Sequence, residues 1–553
     1  MDGLTVNGLY ATIRGLVVNR FSRTGIAIRY GYGHRVAGCF VGTDPLGAVA
    51  RANQYGVVIE IVPVAANKAS ANLPSLAVIG GLDVSDRNLI SGNFFNGLIV
   101  GLGTSNCVIQ NNYIGTDAYG QAALPNQTGL TLLSVLTSVG GCASPCAGQL
   151  FPGANVISGN TGSGIDLGFI GPNFISGNRI GTDASGTKPL PNRIGISLIQ
   201  TTEQFISWNV ISGNTNSGIR IFHSDGTSIS GNLIGTNIQG AAPLPNGGSG
   251  VEIVGTSSHH FVGSNTIAYN GKAGISIGLD LSDGSNDNLI SANSIHDNGG
   301  LGIDLGSDGA TPNNDCDTGR GPNLLQNAPV LTSAVPSLDT TTVSGTLNSV
   351  PNTTFRIEFF SSPLCDPTGF GEGETRVGTQ ILVTTDGSCN ASFEAVLPAA
   401  LPLGSVVTAI ATDPSGNSSE FSACRRVKTG LDFYTITPCR IADTRDPPGP
   451  FGGPPLSPET DRLFTVAGRC GIPSDASAVA FNFTVTQPEA SGNLQIFPGT
   501  TPLPVPPALY YSAGQTRAKN AVLALDAVGR IGTHVTQSAG TVDFVIDATG
   551  YFR

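Results

Sequence analysis

The most regularly placed ionisable side chains of the sequence lie in short Gly-Ile segments. Asp166 and Asp304 each follow Gly-Ile and precede Leu-Gly, and Arg220 and Ser276 take the same place in GIRI and GISI, while Asp280 follows in GLDL. If these groups share one outward face, they could bind a sugar chain, and two carboxylates about 5–9.5 Å apart could hydrolyse it. A solvated face is the commoner meaning of such a pattern. Asp166, Arg220, Asp280 and Asp304 are therefore the candidate catalytic residues, although the pattern itself favours a solvated face over a catalytic site.

A second group of candidate binding residues lies in RYGYGHR at positions 29–35. Arg29, Tyr30, Tyr32, His34 and Arg35 are predicted to share one loop between strands. Aromatic rings beside guanidinium groups can stack on sugars and pair with carboxylates. The alternative is a surface loop whose long side chains lie along the protein.

Acidic and amide side chains are concentrated near residue 315. Asp308, Asn313, Asp315 and Asp317 precede Gly319, and alternating oxygen ligands followed by glycine suit Ca²⁺. The complete EF-hand pattern is missing, and the alternative is a polar linker in which these side chains form turns. No other cofactor is predicted. The adjacent His259 and His260 are expected in a solvated turn.

The elements that position these residues are repeats. A Gly-Thr-Asp/Asn segment occurs four times, as VGTDPLG (41–47), IGTDAYG (114–120), IGTDASG (180–186) and IGTNIQG (234–240). Because catalytic groups do not recur in this way, Asp44, Asp117, Asp183 and Asn237 are interpreted as turn residues whose side chains accept backbone hydrogen bonds.

A second repeat ends in asparagine. NLISGN (88–93), NVISGN (155–160), NVISGN (209–214), NTIAYN (265–270) and NLISAN (288–293) are interpreted as sharing one frame, and most precede a strand of alternating apolar residues. Asn93, Asn160 and Asn214 have counterparts 18 or 19 residues later, which predicts coils of about that length. Stacked coils would place corner asparagines in a hydrogen-bonded ladder. The predicted ladder and corner residues are Asn93, Asn112, Asn160, Asn178, Asn214, Asn232, Asn270 and Asn293.

On these strings, residues 4–305 resemble bacterial right-handed parallel β-helix repeat proteins. The resemblance implies an all-β fold with coils stacked in register, which a β-sandwich of hairpins would not produce. This fold carries polysaccharide lyases, glycoside hydrolases, epimerases, phage tailspikes and non-catalytic adhesins, so it does not define an activity. The residue set of polygalacturonase-like enzymes is absent.

Three domains are predicted. The β-helix spans 1–325, an immunoglobulin-like β-sandwich spans 326–428, and an all-β accessory module spans 429–553. Strand count and spacing indicate the sandwich, and ATDPSGNSSEFSAC resembles the last strands of bacterial Ig-like repeats. The segment that ends in VDFVIDATGYFR resembles a module at the ends of exported bacterial proteins.

The composition and the cysteine content indicate in which cellular compartment the protein functions. Charged residues make up 12% of the chain and the formal net charge is −11, which gives no basic footprint for nucleic acid. There is no apolar run long enough to cross a membrane. Ten cysteines, among them Cys142 with Cys146 and Cys439 with Cys470, favour disulfides in an oxidising compartment over scattered buried thiols. A signal peptide is not visible in this sequence, and we expect one upstream in the natural protein.

The sequence therefore predicts an exported surface protein without catalytic activity. Its β-helix would act as a rigid spacer or as a face that binds an extracellular polysaccharide or cell-surface component. The alternatives are a polysaccharide lyase or glycoside hydrolase, and a fibre or tailspike-like subunit. A groove that gathers three or more charged residues from adjacent coils would favour the enzyme.

Overall fold

The computed structural model describes residues 1–60, 75–141, 153–169, 171–499 and 506–553. The chain forms two compact units, Met1–Lys428 and Thr429–Arg553. Both are built from β-strands, and the described helices are single 3₁₀ turns at Val84–Asp86, Asp315–Asp317 and Pro322–Leu325. None of the helices in the described ranges is long and apolar enough to cross a membrane.

The first unit begins with a right-handed parallel β-helix of three sheets. Each coil contributes one strand to each sheet in turn, and like strands of successive coils pair in parallel. Sheet A consists of β1 Leu4–Asn7, β4 Thr24–Tyr30, β7 Tyr55–Ile59, β10 Asn96–Val100, β13 Thr128–Leu132, β16 Ser163–Gly168, β19 Ile194–Ile199, β22 Ile219–Phe222, β25 Val251–Val254, β28 Ile275–Ile277 and β31 Ile303–Leu305.

Sheets B and C complete each coil with two- and three-residue strands. Sheet B consists of β2 Thr12–Arg14, β5 Arg35–Ala37, β8 Val78–Gly80, β11 Val108–Gln110, β14 Ser138–Gly140, β17 Phe174–Ser176, β20 Phe205–Ser207, β23 Ser228–Ser230, β26 Phe261–Gly263 and β29 Leu289–Ser291. Sheet C consists of β3 Val17–Val18, β6 Phe40–Val41, β9 Leu89–Ile90, β12 Tyr113–Ile114, β15 Val156–Ile157, β18 Arg179–Ile180, β21 Val210–Ile211, β24 Leu233–Ile234, β27 Thr266–Ala268 and β30 Ser294–His296.

The core consists of columns of aliphatic side chains. In sheet A, Ile165, Ile196 and Ile219 pair in register on successive strands, and each is at most 1% exposed. Because side chains alternate between the two faces of a strand, this inward column leaves the residue that follows each of its members on the outer face. The same alternation therefore explains why the residue after Gly-Ile in the sequence motif lies on the outer face of sheet A.

Asparagines form two columns at different corners of the coil. In each column, the side-chain amide donates to the side-chain oxygen of the next coil, over 2.8–3.0 Å between sheets B and C and 2.9–3.1 Å between sheets C and A. The first column contains Asn88, Asn112, Asn155, Asn178, Asn209, Asn232, Asn265 and Asn293, and the second contains Asn53, Asn93, Asn126, Asn160, Asn192, Asn214, Asn246, Asn270 and Asn298.

The expected coil length of 18 or 19 residues is wrong. Asn93 donates to Asn126, not to Asn112, which belongs to the other column. The separation of 18 or 19 residues between asparagines therefore joins one corner of a coil to a different corner of the next coil. The single frame is wrong as well, because NLISGN at 88–93 contains a strand of sheet C whereas NLISAN at 288–293 contains a strand of sheet B.

The Gly-Thr-Asp/Asn segments form turns beside sheet C. The Asp44 carboxylate accepts hydrogen bonds from the backbone N–H groups of residues 48 and 49, and Asp117, Asp183 and Asn237 accept equivalent pairs. These contacts agree with the structural interpretation of the four residues.

A small antiparallel sandwich follows the β-helix within the first unit. One sheet has β32 Val330–Pro336, β33 Thr341–Asn348 and β37 Asn390–Leu397, and the other has β34 Thr354–Ser362, β35 Thr375–Arg376, β36 Ile381–Thr384, β38 Val406–Thr412 and β39 Arg425–Arg426. Phe360, Ile410 and Phe421 of this sandwich join the apolar core of the β-helix. The immunoglobulin-like assignment and the three-domain division stay predictions.

The second unit contains two four-stranded antiparallel sheets. One is formed by β40 Phe433–Asp443, β42 Ala478–Thr486, β45 Arg517–Ala524 and β47 Asp543–Phe552, and the other by β41 Asp461–Thr465, β43 Gly492–Pro498, β44 Leu509–Tyr511 and β46 Arg530–Gln537. Its core is separate and includes Phe464, Phe483 and Phe544.

Three disulfides form among the described residues. They join Cys316 to Cys389, Cys365 to Cys424 and Cys439 to Cys470. The expected pair Cys142 and Cys146 lies outside the described residues. Cys39 and Cys107 are buried free thiols.

Candidate functional site

The outer face of sheet A carries a continuous row of polar side chains. Strand register aligns its six members on six successive strands. This polar row consists of Asp166, Ser197, Arg220, Glu252, Ser276 and Asp304. Three of the four catalytic candidates from the sequence therefore lie on one face.

The C-terminal part of the polar row borders a cleft of about 300 Å³. Arg220, Glu252, Lys272 and Asp304 supply its ionisable side chains, and serines supply hydroxyl groups. The four ionisable residues come from four successive coils, since Lys272 lies three residues before β28. The cleft thus presents two cations and two carboxylates within one concave surface.

Glu252 is held by two neighbours. The Ser217 hydroxyl donates to its carboxylate over 2.8 Å, and the Arg220 Nε lies 3.6 Å from the same oxygen. The Arg220 side chain is 36% exposed, which leaves its guanidinium accessible from the cleft. Ser276 and Ser307 are hydrogen-bonded to each other over 2.7 Å. These contacts fix acceptors and donors on the wall of the cleft.

Two carboxyl groups of the polar row, those of Asp304 and Asp166, have pKa values above that of an exposed aspartate. Burial raises the pKa of Asp304, although the backbone N–H of Gly309 donates to it over 3.3 Å. Burial also raises the pKa of Asp166, which accepts a 3.4 Å hydrogen bond from the Thr128 hydroxyl. A carboxyl group with a raised pKa in a cleft is a possible proton donor to a bound substrate.

Asp280 does not belong to this face. It lies in the turn after β28, where the backbone N–H and hydroxyl of Ser282 donate to its carboxylate and lower its pKa. Its place in GLDL suggested a strand, but strand β28 ends at Ile277. Asp280 is a turn residue, and its placement on the outward face was wrong.

The residues of RYGYGHR are largely committed to internal contacts. Arg29 pairs with Asp2 at 2.8 Å, and Arg35 pairs with Asp86 at 2.6 Å. His34 is 1% exposed and its ring contacts the Tyr30 carbonyl at 2.8 Å, while Tyr32 packs edge-on against Tyr10. Arg29 and Tyr30 lie in β4 and Arg35 begins β5, so the segment is not one loop.

The predicted calcium ligands are not gathered at one point. Both carboxylate oxygens of Asp317 accept from the Asn327 backbone N–H, and the Ser349 hydroxyl donates to one of them over 2.6 Å. Asn313 makes two hydrogen bonds with the backbone of Ala328, whereas Asp308 and Asp315 are exposed. Across the described ranges, no three His, Cys, Asp or Glu side chains are grouped as a metal site requires.

The two adjacent histidines have different environments. His259 is exposed and its ring contacts the Asp225 carboxylate at 2.7 Å, as a turn residue can. His260 is buried and accepts from the Thr227 backbone N–H, and burial lowers its pKa to about 4. The solvated turn expected for both residues is therefore wrong for His260.

Sequence reasoning missed two of the four ionisable residues of the cleft. Glu252 stands in GVEIV, in the frame that holds Asp166 and Arg220, so strand alignment alone could have identified it. Lys272 lies before its strand, in the segment that turns from sheet C to sheet A, and only the structure of that segment shows that it reaches the cleft.

Comparisons with known proteins give one family match, within the β-helix. Residues 190–300 match the model of the NosD family, described as a periplasmic copper-binding protein. No curated protein matches the chain. The matched segment contains four histidines, but the residues present do not fit a copper site, given the lack of a three-ligand group in the described part of the chain.

Several solved structures are similar to the chain at low sequence identity. The A-module of the mannuronan C-5 epimerase AlgE6 of Azotobacter vinelandii is 16% identical, with 56% of this chain and 81% of that chain covered and a TM-score of 0.28. A double mutant of the periplasmic alginate epimerase AlgG is 15% identical, with 54% and 66% covered and a TM-score of 0.35. The Dettilon tailspike protein is 13% identical, with 100% and 87% covered and a TM-score of 0.28.

Proposed function

We propose that this chain is an exported protein whose β-helix binds an extracellular polysaccharide in the cleft on sheet A. The observation that carries the proposal is the convergence of Arg220, Glu252, Lys272 and Asp304 from four successive coils on one cleft. A flat solvated face would leave these groups dispersed, whereas a concave one lets several contact the same ligand.

The donor and acceptor groups match a carbohydrate. A sugar chain presents many hydroxyl groups, each of which can donate and accept hydrogen bonds. The cationic groups of Arg220 and Lys272 can donate to ring, hydroxyl or carboxylate oxygens, and the Glu252 and Asp304 carboxylates can accept from sugar hydroxyls. Because the cleft crosses several coils, a ligand along the helix axis would contact residues from each of them.

Export is supported by cysteine chemistry. Three disulfides staple the part of the chain that the structure describes, and disulfides persist mainly in oxidising compartments. We therefore place the protein in the periplasm, on the cell surface or in the medium, where polysaccharides are accessible.

A second candidate function, an enzyme that acts on the bound polysaccharide, is favoured by Asp304. Its raised pKa and its position in the same cleft as Arg220 and Lys272 would suit a proton donor. The gathering of four charged residues from adjacent coils is also the feature expected to favour an enzyme. In this function, Asp304 would exchange a proton with the substrate while the two cations neutralise negative charge.

Binding is tested by affinity electrophoresis and calorimetry of the full chain with neutral and uronate-containing polysaccharides. Lys272→Ala should weaken binding, whereas Lys188→Ala, which removes an exposed lysine from a turn beside sheet C, should leave it unchanged. Equal binding by wild type and Lys272→Ala, or binding to none of the polymers, would contradict the proposal.

Catalysis is tested on the same polymers by reducing ends, by absorbance of unsaturated products and by NMR of sugar configuration. If the enzyme proposal is correct, Asp304→Asn should bind the polymer and lose turnover. Binding without any product from the wild-type chain would leave the binding function and eliminate the enzyme.

A further inference from the structure

A row of exposed aromatic side chains lies on sheet B, on a different face from the cleft. Phe174, Phe205 and Phe261 occupy equivalent outward positions, with Ser228 aligned between the last two. Their exposed fractions are 42%, 43% and 38%. Most large apolar residues of a strand are buried on folding, so three exposed phenylalanines in one register form a patch that indicates an interaction surface.

The rings of this aromatic row are arranged by the coil repeat. The Phe174 and Phe205 rings are stacked, with centroids 5.3 Å apart and planes 11° from parallel. Adjacent parallel strands are about 4.8 Å apart, so identical residues on successive coils place their rings above one another. Phe174 and Phe205 thus form a stacked pair along the helix axis, and Phe261 follows beyond Ser228.

Glycines make room for aromatic rings on the same face. The Phe261 ring occupies the space where a Cβ at Gly263 would lie, with its nearest atom 2.2 Å from that position. The Trp208 indole lies 2.8 Å from the corresponding position at Gly231, one coil on from Trp208. These rings therefore lie against the sheet instead of projecting from it.

Hydroxyl groups line the aromatic row and charges are absent from its strands. Ser176, Ser207 and Ser230 are aligned two residues further along the same strands, and the Ser207 hydroxyl donates to Ser176 over 3.4 Å. The strands β17, β20, β23 and β26 read FIS, FIS, SIS and FVG, without a charged residue.

We propose that this face of sheet B binds an uncharged polysaccharide chain that lies along the helix axis. The C–H face of a pyranose ring is apolar and can pack against the exposed parts of the phenylalanine rings, while its hydroxyl groups can pair with the serine row. The charge of the face matches a neutral polymer, since its strands offer no cation to an acidic one and the whole chain carries a net charge of −11. The site is independent of the cleft on sheet A.

The test uses affinity electrophoresis of the full chain in gels that contain hydroxyethyl cellulose, galactomannan, soluble starch or polygalacturonate. We expect at least one neutral polymer to retard the protein. Phe205→Ala should weaken that interaction about two- to tenfold, the contribution of one aromatic contact. Phe94→Ala, which removes a phenylalanine that is 69% exposed on a turn outside sheet B, is the matched control.

A gain of binding provides the second test. Ser228→Phe would fill the position between Phe205 and Phe261, and we expect it to tighten binding of the same polymer by a similar factor. Phe205→Ala should leave unchanged any polymer interaction that Lys272→Ala weakens, which separates the aromatic row from the cleft.

Three results would overturn the proposal. They are an absence of retardation by every neutral polymer, retardation that Phe205→Ala and Phe94→Ala change equally, and a wild-type oligomer in sedimentation that Phe205→Ala dissociates. The last would identify the aromatic row as a contact between copies of this chain.

Discussion

Replacement of Glu372 by glutamine should stabilise the first unit at pH 8 and do so much less at pH 5. Glu372 belongs to the sandwich and is 6% exposed. One of its carboxylate oxygens accepts from the backbone N–H of Asn298 at 3.1 Å and from its side-chain amide at 2.8 Å. It therefore ends the asparagine column between sheets C and A, and a glutamine oxygen can accept the same two hydrogen bonds.

The size of this stabilisation follows from the cost of ionising the buried Glu372 carboxyl group. Burial is the main cause that raises the pKa of Glu372 from an ordinary 4.5 to about 7, with Asp366 a smaller one. The stabilising effect of the protonated form is complete below pH 4.5 and is lost as the pH rises through 7. The difference between the two pKa values corresponds to at most about 3 kcal/mol at pH 8, and relaxation around the charge reduces it. Glutamine cannot ionise and avoids this cost.

The assay is urea unfolding at pH 5 and pH 8, followed by the fluorescence of Trp208, the single tryptophan. Glu374→Gln is the matched control, because Glu374 lines the same cavity of about 510 Å³ without contacting Asn298 through its carboxylate. Glu372→Ala should destabilise at pH 5, since it leaves the buried backbone N–H of Asn298 without its acceptor at about 1–3 kcal/mol. If Glu372→Gln and Glu374→Gln shift the midpoint equally at both pH values, the reasoning is refuted.

Three further results are expected. Glu420→Gln should show the same pH-dependent stabilisation, because burial raises the pKa of Glu420 to about 7, and a midpoint that shifts equally at pH 5 and pH 8 would contradict this. Asn178→Ala should lower the free energy of unfolding by at least about 2 kcal/mol in urea, because it interrupts a buried column, whereas Asn96→Ala on the outer face should cost less. A chelator should leave the melting temperature unchanged, because Asp317 is satisfied by protein donors, and a fall would restore the calcium site.

The sequence predicted the architecture because its repeats are local consequences of the coil. An apolar residue before each outward residue of the polar row, and Asn at two corners of the coil, suit stacked strands, so they recur with recognisable neighbours. The length of a coil was not predictable in the same way. The turn at Asp183 lengthens one coil, and the coil from Asn192 to Asn214 lacks such a turn, so column partners are 32 residues apart in one case and 22 in another.

The same local requirement explains why the register was misjudged. N-x-I-S-x-N describes a short strand between two corners, and both sheets B and C contain such strands. NFISGN at 173–178 contains β17 of sheet B, whereas NVISGN at 155–160 contains β15 of sheet C. A motif that fits two corners cannot by itself identify either one. Lys272 is positioned by the path of the chain between two corners. The repeat pattern describes only the short strands, so it could not predict where such a residue lies.

The sandwich covers the last coil of the β-helix as well as ending the asparagine column. A parallel β-helix leaves unpaired backbone groups at its last coil, and buried groups of this kind require partners. Glu420 accepts the backbone N–H of Leu305 at 2.9 Å, and Gly373 exchanges two backbone hydrogen bonds with Ile295. Because Leu305 directly follows Asp304, the contact that covers the end of the β-helix also holds the last carboxylate of the cleft in place. Ligand binding in the cleft should therefore depend on the sandwich, although no residue of the sandwich lines the cleft.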